Sequence, residues 1–188
     1  TLFRSGPEFK TESTNDNFET AKKKVKSLVQ ESVSSRSIAD VPLGTFLSGG
    51  VDSSIVSLCL SRMSEKPIDT FSIGFEKKEF DETDKSRVVA KLVNSNHHEF
   101  IVNEDDFKKD LHEILLNFDE PFSDTASLPT YFVSKKTREH VKVALTGDGG
   151  DEVFGGYIKY QAFLRALQPG LIEKGVGFLS PVLNLFEG

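Results

Sequence analysis

Residues 45–54 combine the side chains that an anion-binding turn needs. Adjacent glycines let the backbone turn sharply, and serine hydroxyls and the first amides of a helix can donate hydrogen bonds to phosphate oxygens. A carboxylate here would repel phosphate, so its presence indicates a divalent cation between them. The segment therefore predicts a site for a metal-bound polyphosphate, formed by Ser48, Gly49, Gly50, Val51, Asp52, Ser53 and Ser54.

Two common phosphate-binding patterns do not describe this segment. It lacks the Gly-Lys-Ser/Thr ending of a Walker loop, and no G-x-G-x-x-G dinucleotide fingerprint follows the apolar run before it. The alternative is a turn of small residues that only caps a helix. The position directly after a buried-type apolar run favours the binding site.

A second glycine-rich segment, at residues 146–152, carries acidic side chains and also follows an apolar run. By itself it is most simply explained as an exposed acidic turn at a helix start. Together with the first segment it favours a metal site, because carboxylates at the ends of separate strands can share metal ions over one triphosphate. The candidate ligands are Asp52 and Asp151.

The elements that must position both segments alternate between strand and helix. Asn17 is the predicted N-cap of a first helix. Strands are predicted at residues 43–47, 69–75, 99–102 and 141–145, and helices at 53–63, 84–93, 104–118 and 129–140. This order predicts an α/β fold, a parallel sheet with helices on both faces, in which ligands bind at the carboxyl ends of the strands.

Length and composition limit the domain organisation and the class of partner. The 188 residues suit one domain at residues 17–188, after a linker or tail at residues 1–16. A net charge of −6 argues against general nucleic-acid binding. No apolar run has a membrane-spanning length, and no secretory signal is visible, so a cytoplasmic location is expected.

The first segment resembles the pyrophosphate-binding loop of the N-type ATP pyrophosphatases, which have a Rossmann-like adenine nucleotide alpha hydrolase fold. The second, at residues 145–157, resembles the signature of glutamine-hydrolysing asparagine synthetases in their C-terminal synthetase domain. Three supporting motifs stand in the family's order: Phe80-Asp81-Glu82, His97-His98-Glu99 and residues 119–131. The resemblance extends over residues 18–160.

That resemblance implies ATP and Mg²⁺ as cofactors. Asp52 and Asp151 would hold the metal, and residues 48–54 would line the pyrophosphate site. Leu47 and Ile73 would contact adenosine, and Gly147 would approach the ribose or the α-phosphate. Asp148 stands where many members carry Glu and would face the acyl-adenylate or ammonia. The catalytic set is thus Asp52, Asp148 and Asp151.

The activity implied is ATP-dependent amidation of aspartate to asparagine through a β-aspartyl-adenylate, with AMP and pyrophosphate released. Ammonia would come from glutamine through a glutaminase domain that precedes this one in the family, and a homodimer is a further expected assembly. We expect the synthetase domain to be truncated at its C-terminus, with the family's later catalytic lysine beyond Gly188. The alternatives are an amidotransferase or β-lactam synthetase-like enzyme acting on another carboxylate, or a nucleotide-binding fragment without activity.

Several other residues have simpler structural explanations. Cys59 lies on the apolar side of a predicted helix, which indicates a buried thiol and not a nucleophile. His97 and His98 are adjacent on a strand, so they point to opposite faces and do not chelate one metal. Lys135, Lys136 and Arg138 are expected on a solvated helix face, although one of them could reach the triphosphate.

Overall fold

Four parallel strands form the sheet, in the order β3-β2-β1-β4. The computed structural model describes residues 14–79, 81–120 and 124–167. The strands are β1 (Leu43–Phe46), β2 (Asp69–Phe75), β3 (Asn96–Val102) and β4 (Val143–Leu145). The helices are α1 (Phe18–Arg36), α2 (Val51–Met63), α3 (Thr83–Val93), α4 (Glu104–Leu116), α5 (Ser127–Thr137), α6 (Gly150–Phe154) and α7 (Ile158–Leu167).

The chain divides into two units after Thr146. The first unit contains the whole sheet and the helices α1 to α5, and the second contains α6 and α7. Among the helices in the described ranges, none combines the length and apolar character that crossing a bilayer requires.

Helices pack on both faces of the sheet, which confirms the predicted fold class. Thr45 of β1 pairs in register with Thr70 of β2, so both side chains point to one face. On that face the Thr45 hydroxyl lies 2.7 Å from the Ser57 hydroxyl of α2. Phe71, one residue further along β2, is fully buried on the opposite face and packs against Val133 of α5.

Most of the predicted elements are present, with shifted ends. Asn17 caps α1 as predicted, because its side chain accepts a hydrogen bond from the Thr20 amide at 2.9 Å. Strand β3 begins at Asn96, earlier than predicted, and β4 begins at Val143, later than predicted. Helix α7 follows Gly156, and most of the tail predicted at residues 1–16 lies outside the described residues.

The paired histidines of β3 have separate structural partners, as the alternation of strand side chains predicts. The two ring nitrogens of His97 lie 2.9 Å from the Thr70 hydroxyl and 3.2 Å from the Ser72 hydroxyl. The His98 ring instead lies 2.9 Å from an Asp69 carboxylate oxygen. Each ring therefore ties β3 to β2, and the two rings do not form a common metal site.

His97 is expected to make the protein less stable in acid. Burial lowers the pKa of His97 below its ordinary value of 6.5, because charging a half-buried ring is unfavourable. Below pH 6.5 the unfolded chain takes up a proton on this histidine that the folded protein does not. The stability that uncharged His97 contributes is therefore fully present above pH 6.5 and is lost as the pH falls below it. Urea unfolding at about pH 7.5 and about pH 5.5 checks this. The wild type should lose more stability between these pH values than His97→Gln, and equal losses would contradict the assignment.

The thiol of Cys59 is free and buried in α2, as predicted from its position on an apolar helix face. It packs in a hydrophobic cluster with Val33 of α1, Leu60 of α2 and Ile68. A thiol in such surroundings fills space in the core and is poorly placed for nucleophilic attack on a substrate.

Candidate functional site

The turn between β1 and α2 depends on a glycine at position 49. Gly49 has φ +81°, a left-handed conformation that side chains of L-residues rarely adopt. It also touches the start of α3: a Cβ placed on Gly49 would lie 2.5 Å from the Lys85 Cβ and 2.7 Å from the Ser86 nitrogen. Both the backbone conformation and the packing of α3 therefore require glycine here.

Serine side chains hold this turn in shape. The Ser48 and Ser53 hydroxyl oxygens lie 2.9 Å apart, and the Gly50 amide donates to the Ser48 hydroxyl at 3.2 Å. The Ser54 hydroxyl donates to the Gly50 carbonyl at 2.6 Å. The turn is thus preformed, so an anion that binds it need not order the backbone first.

The first turn of α2 is suited to an anion. Gly50 is the N-cap of α2 and offers no side-chain hydrogen bond, so the first amides of the helix are not capped by a side chain. The positive end of the helix dipole adds to the attraction for negative charge. Val51 is exposed and Ser54 is half-buried, so solvent reaches this turn.

A cavity of about 340 Å³ opens beside the turn, at the carboxyl ends of β1 and β2. Its volume is in the range of small-molecule sites, about 300–1,000 Å³. Leu47, Ser48 and Ile73 line it together with the aromatic rings of Phe46 and Phe71. The structure therefore brings three of the predicted ATP-binding residues to one cavity.

Part of the cavity wall was not predicted from the sequence. Glu82, Thr83 and Ser86 line it from the start of α3, and Thr130 lines it from α5. The signal for the start of α3 is local, since Asp81 accepts hydrogen bonds from the Thr83 amide and hydroxyl at 3.3 and 3.0 Å. The packing of α3 on the turn is a feature of the tertiary structure, and no local sequence pattern shows it.

Asp52 lies in the first turn of α2, where its side chain is half-buried. Its carboxylate makes no hydrogen bond or ion pair with any of the residues that the structure describes. Across the same ranges, no group of three His, Cys, Asp or Glu side chains could hold a metal ion. Mg²⁺ commonly binds through one or two carboxylates plus the phosphates of a nucleotide, so Asp52 fits Mg²⁺ as the companion of a nucleotide.

The second unit carries the other predicted residues in a short structured turn. Helix α6 lies between Gly149 and Gly155, its two caps, which have φ of +88° and +68°. Asp151 is half-buried in its first turn, and its carbonyl accepts a hydrogen bond from the Gly156 amide at 3.0 Å. Gly147 is half-buried and Asp148 is exposed.

Tyr157 ties the end of this turn back to its start. Its hydroxyl donates a 2.7 Å hydrogen bond to the Glu152 carboxylate. This hydrogen bond raises the pKa of Tyr157 to about 12, because the carboxylate stabilises the protonated phenol. Lys159 lies 4.4 Å from the centre of the Tyr157 ring, a cation–π contact.

Gly156→Ala is expected to displace the Asp151 carboxylate. A Cβ on Gly156 would overlap Oδ1 of Asp151, so this side chain must rotate away. If Asp151 is a metal ligand, the Mg²⁺ concentration for half-maximal activity should rise several-fold, while the melting temperature changes little. Mn²⁺ binding measured by electron paramagnetic resonance should weaken in parallel. An unchanged metal dependence would argue against this role.

The family described as "Asparagine synthase" matches residues 24–177. "Asparagine synthetase [glutamine-hydrolyzing] 1" of Bacillus subtilis is 37% identical over 139 residues, which are 74% of this chain and 22% of that protein. "Asparagine synthetase [glutamine-hydrolyzing]" of Cricetulus griseus is 32% identical over 180 residues, 90% of this chain and 31% of that protein. The chain thus spans less than a third of the length of these two relatives.

Among solved structures, an NH3-dependent NAD synthetase from Campylobacter jejuni is similar with a TM-score of 0.46 and 13% identity, over 76% of this chain and 61% of that one.

Proposed function

Because the chain belongs to the asparagine synthase family, we propose that it forms the ATP-using part of a glutamine-dependent asparagine synthetase. The observation that carries this proposal is the cavity that joins Leu47, Ser48 and Ile73 beside a preformed serine-glycine turn. The relatives of matching sequence are named as glutamine-hydrolysing enzymes. The proposal therefore concerns a longer protein, of which this chain supplies the nucleotide site.

ATP binds with its adenosine in the cavity and its pyrophosphate part on the turn. Leu47 and Ile73 contact the adenosine, and residues 48–54 surround the pyrophosphate, with hydroxyls and first-turn amides as donors. Gly147 approaches the ribose or the α-phosphate. Strands β1 and β4 are parallel neighbours in the sheet, and ligands of such sheets bind at the carboxyl ends of the strands.

Asp52 and Asp151 hold Mg²⁺ in this proposal. When bound, the ion neutralises negative charge on the leaving pyrophosphate. The two carboxylates fix the ion, and the turn keeps the phosphates in place. Asp148 faces the acyl-adenylate or the incoming ammonia, with a shorter side chain than the glutamate common in the family.

In the proposed reaction, the side-chain carboxylate of aspartate attacks the α-phosphorus of ATP, and pyrophosphate leaves. The product of this step is a β-aspartyl-adenylate, whose carbonyl is then attacked by ammonia. Asparagine forms and AMP is released. The turn and the cavity bind and orient the nucleotide, so most of their contribution is positioning and electrostatic stabilisation.

The proposed partners follow from the same assignment. A glutaminase domain of the complete protein supplies the ammonia, and Cys59, buried in α2, is not its nucleophile. We further propose a cytoplasmic location and a homodimer. Size-exclusion chromatography with light scattering on the full-length protein tests the dimer.

Substrate-dependent ATP–pyrophosphate exchange in the full-length protein tests the proposed function. Aspartate should support exchange better than glutamate, succinate or other carboxylates, and asparagine and AMP should form when glutamine is added. Exchange with a different carboxylate alone would indicate a related amidotransferase or a β-lactam synthetase-like enzyme. ATP binding without exchange on any carboxylate would indicate a nucleotide-binding module and overturn the proposal.

A further inference from the structure

The nucleotide cavity is short of positive charge. The described residues of its wall include serine, threonine and Glu82, but no lysine or arginine. The adjacent turn adds another carboxylate, Asp52. A triphosphate brings several negative charges to this place, so a cation from the protein would stabilise it in addition to any metal ion.

Lys85 is the cation that the fold places against the turn. It lies in the first turns of α3. Its Cβ and backbone occupy the side of Gly49 on which any other residue would carry its Cβ. Its ammonium group is 2.6 Å from Oε1 of Glu82, and Glu82 itself lines the cavity. The ammonium group is therefore held beside a residue of the cavity wall.

The ion pair between Lys85 and Glu82 is easily exchanged. Both side chains are largely exposed, 62% for Lys85 and 66% for Glu82, and exposed pairs contribute little to stability. A lysine side chain is long and flexible, with its charge concentrated at the end. A phosphate with more than one negative charge can thus compete successfully with Glu82 for this ammonium group.

Two other basic residues of the helices around the sheet are engaged by acidic residues outside the cavity wall. Lys135, one of three basic residues of which one was expected to be able to reach the triphosphate, is paired with Asp110 of α4 at 2.6 Å. Arg87 of α3 donates two hydrogen bonds to Glu99 of β3. Lys85 differs from both because its partner, Glu82, is one of the residues that line the cavity.

We propose that Lys85 binds the β- and γ-phosphates of ATP, and that Glu82 holds its ammonium group at the rim of the cavity before the nucleotide arrives. This inference rests on the proposed function, in which the turn holds the pyrophosphate part of ATP. It adds a cation from α3 to a site otherwise formed by the β1–α2 turn and a metal ion. Lys85 then distinguishes a triphosphate from an uncharged nucleoside.

Calorimetric titration of the full-length protein with ATP and Mg²⁺, and separately with adenosine, tests this role. Lys85→Met keeps the unbranched stem that contacts Gly49 and removes the charge. It should weaken ATP binding about tenfold and leave adenosine binding unchanged, because only the triphosphate meets the ammonium group. Lys85→Arg should retain most of the ATP affinity. Lys91→Met, in the last turn of the same helix, is the matched control and should bind both ligands as the wild type does.

Each result decides between defined alternatives. Equal ATP affinity in Lys85→Met and wild type overturns the role of Lys85 and leaves the proposed function intact. An equal loss for ATP and adenosine shows a packing effect through Gly49, and also overturns it. A wild-type protein that binds no ATP overturns both. The ATP affinity of Lys85→Met should also depend less steeply on salt concentration than that of the wild type.

Discussion

Gly49→Ala is expected to abolish ATP binding and to destabilise the protein. The left-handed backbone at φ +81° costs an alanine about 1–2 kcal/mol. The added Cβ would lie 2.5 Å from the Lys85 Cβ and 2.7 Å from its backbone carbonyl carbon, and such overpacking costs about 1–3 kcal/mol more. Since the overlap includes backbone atoms, the turn or α3 must move, and the cavity between them changes shape. Calorimetry with ATP and urea unfolding measure the two effects.

Gly50→Ala is the matched control for this substitution. Gly50 has no positive φ, and the nearest atom to an added Cβ is the Ser48 hydroxyl oxygen at 3.3 Å. A small movement of that side chain accommodates the methyl group. We therefore expect Gly50→Ala to unfold close to the wild-type midpoint. Wild-type ATP affinity and wild-type stability in Gly49→Ala would show that the turn is not the phosphate site.

Asp52→Asn is expected to reduce ATP–pyrophosphate exchange by a hundredfold or more, on the scale of losing one key electrostatic contact. Asparagine has the same shape but no charge, so it is a poor ligand for Mg²⁺. The described residues make no hydrogen bond or ion pair with the Asp52 carboxylate, so its replacement leaves the packing of α2 intact. Exchange assays and Mn²⁺ binding by electron paramagnetic resonance should change together.

Asp105→Asn provides the comparison for a carboxylate in a helical first turn. Asp105 occupies the first turn of α4, and its side chain is 92% exposed. Both substitutions weaken the interaction with a helix dipole by about 0.3–1 kcal/mol at most. Only Asp52→Asn should therefore impair exchange. Normal exchange and normal metal dependence in Asp52→Asn would remove Asp52 from the proposed metal site.

Local patterns were sufficient for the order and type of the four strands and of helices α1 to α5. The apolar residues recur at helical spacing in α1, and Asn17 supplies the cap, so its start was predicted correctly. Strand β2 matches the predicted residues 69–75, because a buried parallel strand reads as a continuous β-favouring run. The predicted start of β3 was wrong because His97 is polar and does not look like a strand residue. In the structure its ring nitrogens are paired with hydroxyl groups of β2.

The composition of the site depended on contacts between distant segments. The serine-glycine turn was identified from its residues, since a backbone that approaches an anion needs glycines and hydroxyls in sequence. Its contact with α3, through Gly49 and Lys85, joins residues that no local pattern relates. The same holds for Glu82 and Thr130, which reach the cavity from α3 and α5 only after both helices pack on the sheet.

The sequence alone determined the α/β class and the strand ends that carry the motifs, because periodicity and turn chemistry are local properties of the chain. The family was identified from the resemblance of the two glycine-rich motifs to those of its members. The tertiary structure decided which helices enclose the cavity, because packing angles and register follow from the whole core. It also decided which charges lie next to the turn. Lys85 was one cation among many in the sequence and became a candidate phosphate ligand only when α3 was placed against Gly49.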